Sequence, residues 1–368
     1  MDVLKSLCSV PTAPFAESRV VEFVTQFVRR RKKLRLSSDR FGNLLIQLRS
    51  AHRLPRWVFT AHMDHPGMVA RKMLDDRRLR AAFFGWVKVE YVQGAAVRFF
   101  DGDREIAGQI VEATVAEHDR LAVPHEVIVR VEKPVAAGSP GMFDQGAGRY
   151  RGGKFLCRGC DDLAGAAACL EMLERLHAHP PRSPVAVLLT RAEEEGFIGC
   201  IACCQHRTLL RKSDRVIAIE CSSEQPAAPQ GQGVIIRVGD RTSIFNSALT
   251  YFMGKQAERL KQVDGTFRHQ RALMPGGTCE ATVYDIYGYT AASLCVALGN
   301  YHNMDVKRGR IAPEFIDVAD WKNMVKLFVQ LAEHGHEFDP ANKMLRKRIL
   351  QRFDRIKNLL TDCAAGAR

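Results

Sequence analysis

Residues 184–190 read PVAVLLT, an unbroken apolar run that stops at Arg191. A strand of this kind is apolar towards both of its faces. It therefore belongs in a sheet covered by helices above and below, the setting of an α/β fold. A second run, RVIAIE, has the same character and ends at Glu220. TAASLCVAL, at 290–298, reads as a further strand or buried segment leading to Tyr301 and His302. RWVFT, at 56–60, reads as a strand that runs into Ala61, His62, Met63 and Asp64, and LLIQL, at 44–48, follows the turn residues Gly42 and Asn43. Helical periods lie among these runs, in AESRVVEFVTQFVRRR (16–31), DDLAGAAACLEMLERLHAH (161–179) and residues 317–335. A further helix is expected between Gly196 and Leu210.

The pattern changes between about residues 69 and 155. Short β-rich runs follow one another there (AAFFGWVKV, AAVRFF, EIAGQIVEATV and HEVIVRVEK), separated by Gly and Asp clusters. The chain thus reads as one α/β domain, residues 1–68 and 156–340, interrupted by a small all-β domain over 69–155. The tail, 341–368, carries apolar residues at 345, 349, 353, 356 and 360. It is expected to form a basic amphipathic helix that packs on the domain or on a second subunit.

Charge and cysteine content narrow the setting. The net charge is +13 over 368 residues. The basic residues are scattered, so a basic enzyme surface is the preferred reading and no specific nucleic-acid partner is expected. No stretch approaches ~18 uninterrupted apolar residues, so no membrane span is expected. Asp2 and the Ser and Pro breaks in MDVLKSLCSVPTAPF argue against a secretory signal. The 11 cysteines are odd in number and mostly sit in apolar segments, which suits reduced thiols in a cytoplasmic protein. Cys157 with Cys160, and Cys200 with Cys203 and Cys204, could suggest a zinc knot, but their separation is long and helical spacing explains the second set.

Ionisable residues recur at the ends of the expected strands or just beyond them: His62, Asp161, Glu194, Glu220 and His302. That edge of an open α/β sheet is where sites form. Each residue has a plain alternative. His62 could be a satisfied core histidine, Asp161 a helix N-cap, the Glu193–Glu195 run a solvated first turn, and His302 a loop histidine. Glu220 ends an apolar strand, so its charge needs a partner. Together the five supply a full ligand set for two metal ions. Neutral imidazole and carboxylate suit zinc, cobalt or manganese, and a bridging carboxylate can hold two ions with a water between them. The Glu193–Glu194 doublet offers one base and one ligand. Asp64 stands where it can orient the His62 imidazole.

The order of these segments resembles the glutamyl and tetrahedral aminopeptidases among the co-catalytic metallopeptidases. The matching segments are LCSVPTAPFAE, DRFGNLLIQL, TAHMDHPGMV, FFGW, PGMFD, CDDLAGAAACLEML, AEEEGFIGC, VIAIECSS, MPGGTCEA and NYHNMD. The gap from His62 to Asp161 is 99 positions, which leaves room for the β-rich insert, as in the tetrahedral enzymes. The gap from Glu220 to His302 is 82 positions, which fits no large extra domain there.

The resemblance implies a three-layer α/β/α zinc-aminopeptidase-like domain with a central mixed sheet, interrupted by a small barrel-like all-β domain that serves oligomerisation or substrate access. It implies two divalent ions per subunit, zinc first, with cobalt or manganese as alternatives. His62, Asp161 and Glu220 would hold one ion; Asp161, Glu194 and His302 would hold the other. Glu193 would activate the bridging water as general base, and Asp64 would orient His62. The implied reaction is removal of N-terminal residues from peptides, in homo-oligomers from dimers up to dodecamers. Five residues depart from the family pattern: His65 and Pro66 replace an acidic and an apolar residue, Cys279 and Glu280 follow the GGT segment where an Asp and a small residue are typical, and Glu220 stands for the more usual Asp. Two other readings compete: an amidohydrolase or deacylase of small N-acyl compounds, and a basic binding or scaffold protein on an inactive peptidase fold. Metal content separates enzyme from scaffold, and product analysis separates peptidase from deacylase.

Overall fold

A computed structural model describes residues 2–118 and 121–360. Its centre is an eleven-stranded mixed sheet. Four strands run parallel side by side: Val185–Thr190, Trp57–His62, Arg215–Ser223 and Thr290–Gly299. Leu34–Ser38 and Leu44–Leu48 extend one flank antiparallel. Glu314–Asp317, Lys154–Cys157 and Arg149–Arg151 extend the other. Val234–Gly239 and His269–Leu273 branch from Thr290–Gly299.

The unbroken apolar runs have a direct cause in this sheet. Successive side chains of a strand point to opposite faces. Val185, Val187 and Leu189 enter one core, with Trp57, Phe59 and Ala61 beside them. Ala186, Leu188 and Val58 enter the other. Helices Val3–Cys8, Ser18–Arg29, Leu163–Ala178, Ser247–Val263 and Val318–His334 cover the first face. Helices Ile198–His206 and Glu280–Ile286 cover the second. These are the three layers expected from the sequence. Phe59 packs on Phe328 at 5.1 Å between ring centroids, and Trp57 on Phe252 at 5.6 Å. Each fully buried aromatic of this kind contributes roughly 1.5–3 kcal/mol of transfer free energy.

The β-rich block closes into a six-stranded barrel of Gly67–Met73, Arg78–Phe84, Ala96–Asp101, Arg104–His118, Leu121–Val131 and Pro140–Phe143. Its interior is filled by Met68, Leu79, Phe83, Phe99, Val129 and Phe143. Closure leaves the small unit without an open edge. Gly141 is required where the barrel wall tightens, because a Cβ there would lie 2.6 Å from the Phe99 ring. The block also contains one helical turn, Val89–Val92, that has no period in the sequence. After Phe143 the chain returns to the large sheet, which Arg149–Arg151 and Lys154–Cys157 join.

Of the two expected partners of the C-terminal helix, Phe338–Ile356, the domain meets only its first turn. That turn is anchored: Phe338 is buried against Trp57 and Phe252, and Asp339 pairs with Arg215 at 2.7 Å. From Lys343 to Leu360 every residue is exposed. The helix leaves the body after its first turn, and among the described residues no surface opposes its apolar side. Residues 361–368 lie outside the described residues.

Candidate metal centre

The parallel strands bring the candidate ligands to one edge. Thr190 pairs with His62 across the sheet, and Ala218 pairs with Thr60, so Glu220 stands level with His62. The tight turn Glu193–Glu195 follows the Val185–Thr190 strand, and His302 follows Thr290–Gly299. Asp161 comes from the loop between Lys154–Cys157 and the helix Leu163–Ala178. The backbone is left-handed at Ala192 (φ 48°) and at His302 (φ 54°), conformations that non-glycine residues adopt at a cost of order 1–3 kcal/mol.

His62, Asp161, Glu194, Glu220 and His302 are all buried and converge. Ligand atoms of His62, Asp161 and Glu220 lie within 4.8 Å of one another, as do those of Asp161, Glu194 and His302. Asp161 belongs to both groups. Its Oδ1 is 3.7 Å from His62 Nε2, and its Oδ2 is 3.9 Å from His302 Nε2. Glu194 Oε2 is 3.2 Å from His302 Nε2, and Glu193 Oε2 is 3.9 Å from His62 Nε2. The plain alternatives lose ground here. Asp162, not Asp161, occupies the N-cap position, and it makes no capping bond. Glu194 is buried rather than solvated, and His302 is no surface loop residue.

Asp64 does more than stand beside His62. The nearest oxygen to His62 Nδ1 is the Asp64 carbonyl, at 3.2 Å, with the carboxylate at 3.5 Å. The carboxylate accepts from the backbone N–H groups of Glu193 and Glu194, each at 3.1 Å. One residue thus ties the histidine strand to the acidic turn.

The electrostatics are those of a crowded acidic site. Burial pushes the Glu193 carboxyl well up, only partly opposed by His62, and Glu220 and Glu194 push it further. Burial and then Asp161 push Glu220 up to about 8, against His62 and Arg237. Burial alone would lower His302, but Glu194 and Asp161 outweigh it and raise it to about 9. For His62 the burial effect is likewise overcome, by Glu193, Asp161 and Asp64.

Several further residues support the site, and of these only His65 and Glu280 stand out in the sequence, as departures from the family pattern. Glu314 Oε2 accepts from the backbone N–H groups of Cys160 (2.6 Å) and Asp161 (3.1 Å), and its Oε1 from that of His302 (2.8 Å). A single buried carboxylate therefore ties together the two loops that present Asp161 and His302. His65, one of the departures from the family pattern, lies 2.7 Å through Nδ1 from the Asp161 carbonyl and 3.0 Å through Nε2 from Asn303 Oδ1. Glu280 is buried and accepts from Thr60 Oγ1 at 3.1 Å. The barrel takes part through its Gly85–Trp86 segment: the Trp86 carbonyl is 2.9 Å from His302 Nδ1, and Gly85 N–H donates to Glu195 at 2.7 Å. Gly165 of the DDLAG segment has no room for a side chain, since a Cβ there would meet Asp162 Oδ1 at 2.2 Å.

A cavity of about 120 Å³ opens beside Glu220, lined by Ser222, Ser223, Arg237, Gly277, Thr278 and Tyr301 among others. Arg237 is only 3% exposed, and its Nε has no hydrogen-bond partner.

The donor set fits divalent cations. Glu194 Oε1, Glu220 Oε1 and His302 Nε2 are buried without hydrogen-bond partners, although all three lie in the converging group. Buried polar atoms left in this state are costly unless something else satisfies them. Imidazole nitrogen and carboxylate oxygen are the ligands that zinc, cobalt and manganese accept.

The α/β/α architecture with its inserted barrel has solved counterparts. The TET aminopeptidase of a marine-sediment thaumarchaeote is similar at a TM-score of 0.75, with 16% identity over 90% of this chain and 96% of that one. The aminopeptidase of Desulfurococcus kamchatkensis matches at 0.74, with 20% identity over 90% and 94%. The TET1 peptidase of Pyrococcus horikoshii, which can assemble into a tetrahedron or a large octahedral shell, matches at 0.72, with 21% identity over 90% and 98%. No curated protein matches the chain. The match of the chain to an aminopeptidase family over most of its length makes it a metallo-aminopeptidase, a hydrolase of peptide bonds. Residues 42–327 match the M42 glutamyl aminopeptidase family, and the chain belongs to it.

Proposed function

We propose that this aminopeptidase works with two divalent metal ions, zinc by preference. His62, Asp161 and Glu220 would hold one, and Asp161, Glu194 and His302 the other. The observation that carries this reading is Asp161, whose two carboxylate oxygens face a different histidine each, at 3.7 and 3.9 Å. When bound, such ions polarise a scissile carbonyl and make water a better nucleophile near neutral pH. Glu193 would accept the proton of the attacking water and return it to the leaving amine. Its raised proton affinity suits that exchange, and it lies beside the ligands, converging with His62 and Glu194. Asp64 would hold the Glu193–Glu194 turn and the His62 ring in place.

Arg237 points to the preferred residue. A buried guanidinium whose Nε lacks a partner, at the wall of a cavity beside Glu220, favours an acidic side chain on the residue removed. The barrel, within the inserted segment 69–155, would serve assembly or substrate access while residues 1–68 and 156–340 carry the chemistry. Homo-oligomers are expected on the pattern of the TET1 peptidase. The ten buried free cysteines among the described residues suit a cytoplasmic setting.

The test pairs metal counting with mass spectrometry of free and N-acetylated peptides. Stepwise trimming of free peptides, abolished by chelation and fastest for those beginning with Glu or Asp, is the expected result. Two bound equivalents with cleavage of N-acetylated substrates only would overturn the peptidase reading in favour of a deacylase. Arg237→Gln should remove the acidic preference while retaining metal. An unchanged preference would remove Arg237 from that role.

A further inference from the structure

We propose that the C-terminal helix is a docking element for an anionic lipid bilayer. Three features of the helix support it. The first is its isolation. Beyond the anchored turn at Phe338 and Asp339, no described residue from Lys343 to Leu360 is covered by the rest of the chain.

The second is an apolar stripe. At ~100° per residue, Leu345, Ile349, Phe353, Ile356, Leu359 and Leu360 fall within an arc of about 120°. Ile349 is 63% exposed, Phe353 52% and Leu360 69%, an unusual cost for a chain to bear on a surface facing water.

The third is the placement of charge. Residues 343–357 hold seven Lys or Arg and a single acid, Asp354. Arg348 and Arg355 border the stripe on one side, Arg346 and Lys357 border it on the other, and Arg352 falls within its arc. Asp354 lies opposite the stripe. Long basic side chains at the apolar boundary can extend to phosphate headgroups while their stems lie along the acyl region. A helix with this distribution lies in the interface plane of an anionic membrane.

The other occupants fit less well. A second copy of the helix would bring seven more cations against these, and like charges at close range repel. A nucleic acid would use the cations but leave the stripe of six large apolar side chains wet. A bilayer uses both at once and needs no complementary groove.

The test uses the purified full chain and extruded vesicles of phosphatidylcholine, with and without about one-third phosphatidylserine. The chain should co-sediment with the anionic vesicles at low salt and lose most of that binding as salt rises. A Phe353→Trp variant should shift its emission to the blue on binding, because the ring enters the acyl boundary. Ile349→Asp and Phe353→Asp should each abolish the association. The pair Arg348→Glu with Arg352→Glu should weaken it by at least about tenfold, since each basic residue near such a surface is worth about fivefold in partition. Circular dichroism and melting should be unchanged in all of these variants, which act on a solvated element.

Equal binding to neutral vesicles would overturn the proposal, as would sedimentation indifferent to Ile349→Asp. So would an absence of vesicle binding. If the helix instead serves a second copy, the chain will associate with rising concentration and Ile349→Asp will dissociate it. If it serves nucleic acid, a single-stranded oligonucleotide will bind with no loss in Ile349→Asp.

Discussion

Glu314→Gln isolates the tie between the two loops that carry Asp161 and His302. The wild-type carboxylate accepts three backbone N–H bonds, two on Oε2 and one on Oε1. A glutamine of the same shape keeps one acceptor oxygen and replaces the other by an NH2 group. If its oxygen faces Cys160 and Asp161, the N–H of His302 loses its partner and meets a donor. If it faces His302, the other two N–H groups lose theirs. A hydrogen bond to an ionised group is worth about 1.5–3 kcal/mol. The first orientation therefore costs about that much and the second about twice as much. Disturbing a partner that orients a metal ligand costs 10–100-fold in metal affinity or activity. The expected result is weaker metal binding by at least about tenfold, read by calorimetric titration, with a lower melting temperature measured in chelator. A Glu314→Gln protein that melts earlier but binds metal and turns over as wild type would refute the positioning role and leave Glu314 as a brace of the fold.

Glu193→Gln should retain full metal content and lose at least about 10²-fold in kcat; unchanged turnover would remove it as the base. His302→Ala should lower occupancy of one of two metal equivalents, and two full equivalents after dialysis would contradict its assignment. Phe59→Ala should cost about 3–5 kcal/mol in urea unfolding, because the ring is wholly buried between Phe328 and the sheet; a loss under about 1 kcal/mol would show that the site collapses around it. Burial, with the charge of Asp64 added, raises the Glu17 carboxyl above its ordinary value despite Arg191. A raised folded value means that stability from this group is fully present below the ordinary carboxyl range and is lost as pH rises through the raised value. The stability of wild type relative to Glu17→Gln should accordingly grow as pH falls towards 4.5, the carboxyl's ordinary value, and a constant gap from neutral pH down would contradict it.

Local pattern carried the layers of this fold. PVAVLLT has no polar position before Thr190 because its odd and even residues enter two different cores, and that doubling is visible as an unbroken run. The acidic and histidine residues just past such runs were legible for the same reason: strand ends at one sheet edge are where side chains can converge. The Glu193–Glu195 turn and His302 follow this rule directly.

Other features were outside local pattern. Between residues 224 and 289 the strands Val234–Gly239 and His269–Leu273 are short, and the helix Ser247–Val263 has a mixed face, so their pairing depends on partners distant in sequence. Glu314 is an ordinary residue in a four-residue strand until that strand pairs with Lys154–Cys157 and brings it under the Asp161 loop. The Trp86 carbonyl is invisible in any motif, because every residue has one. The cavity guanidinium of Arg237 belongs to a strand whose burial is known only once Thr290–Gly299 lies beside it.

The sequence by itself determined the α/β class, the β-rich interruption, the candidate metal-binding residues and the amphipathic period of the tail. All of these are written in spacing and side-chain type. Only the tertiary structure decided that both oxygens of Asp161 face histidines, that one glutamate spans two loops, that the barrel touches His302, and that the basic helix stands free. Each of these is a contact or a missing contact between segments far apart in the chain, set by the packing of the whole and by no residue's neighbours.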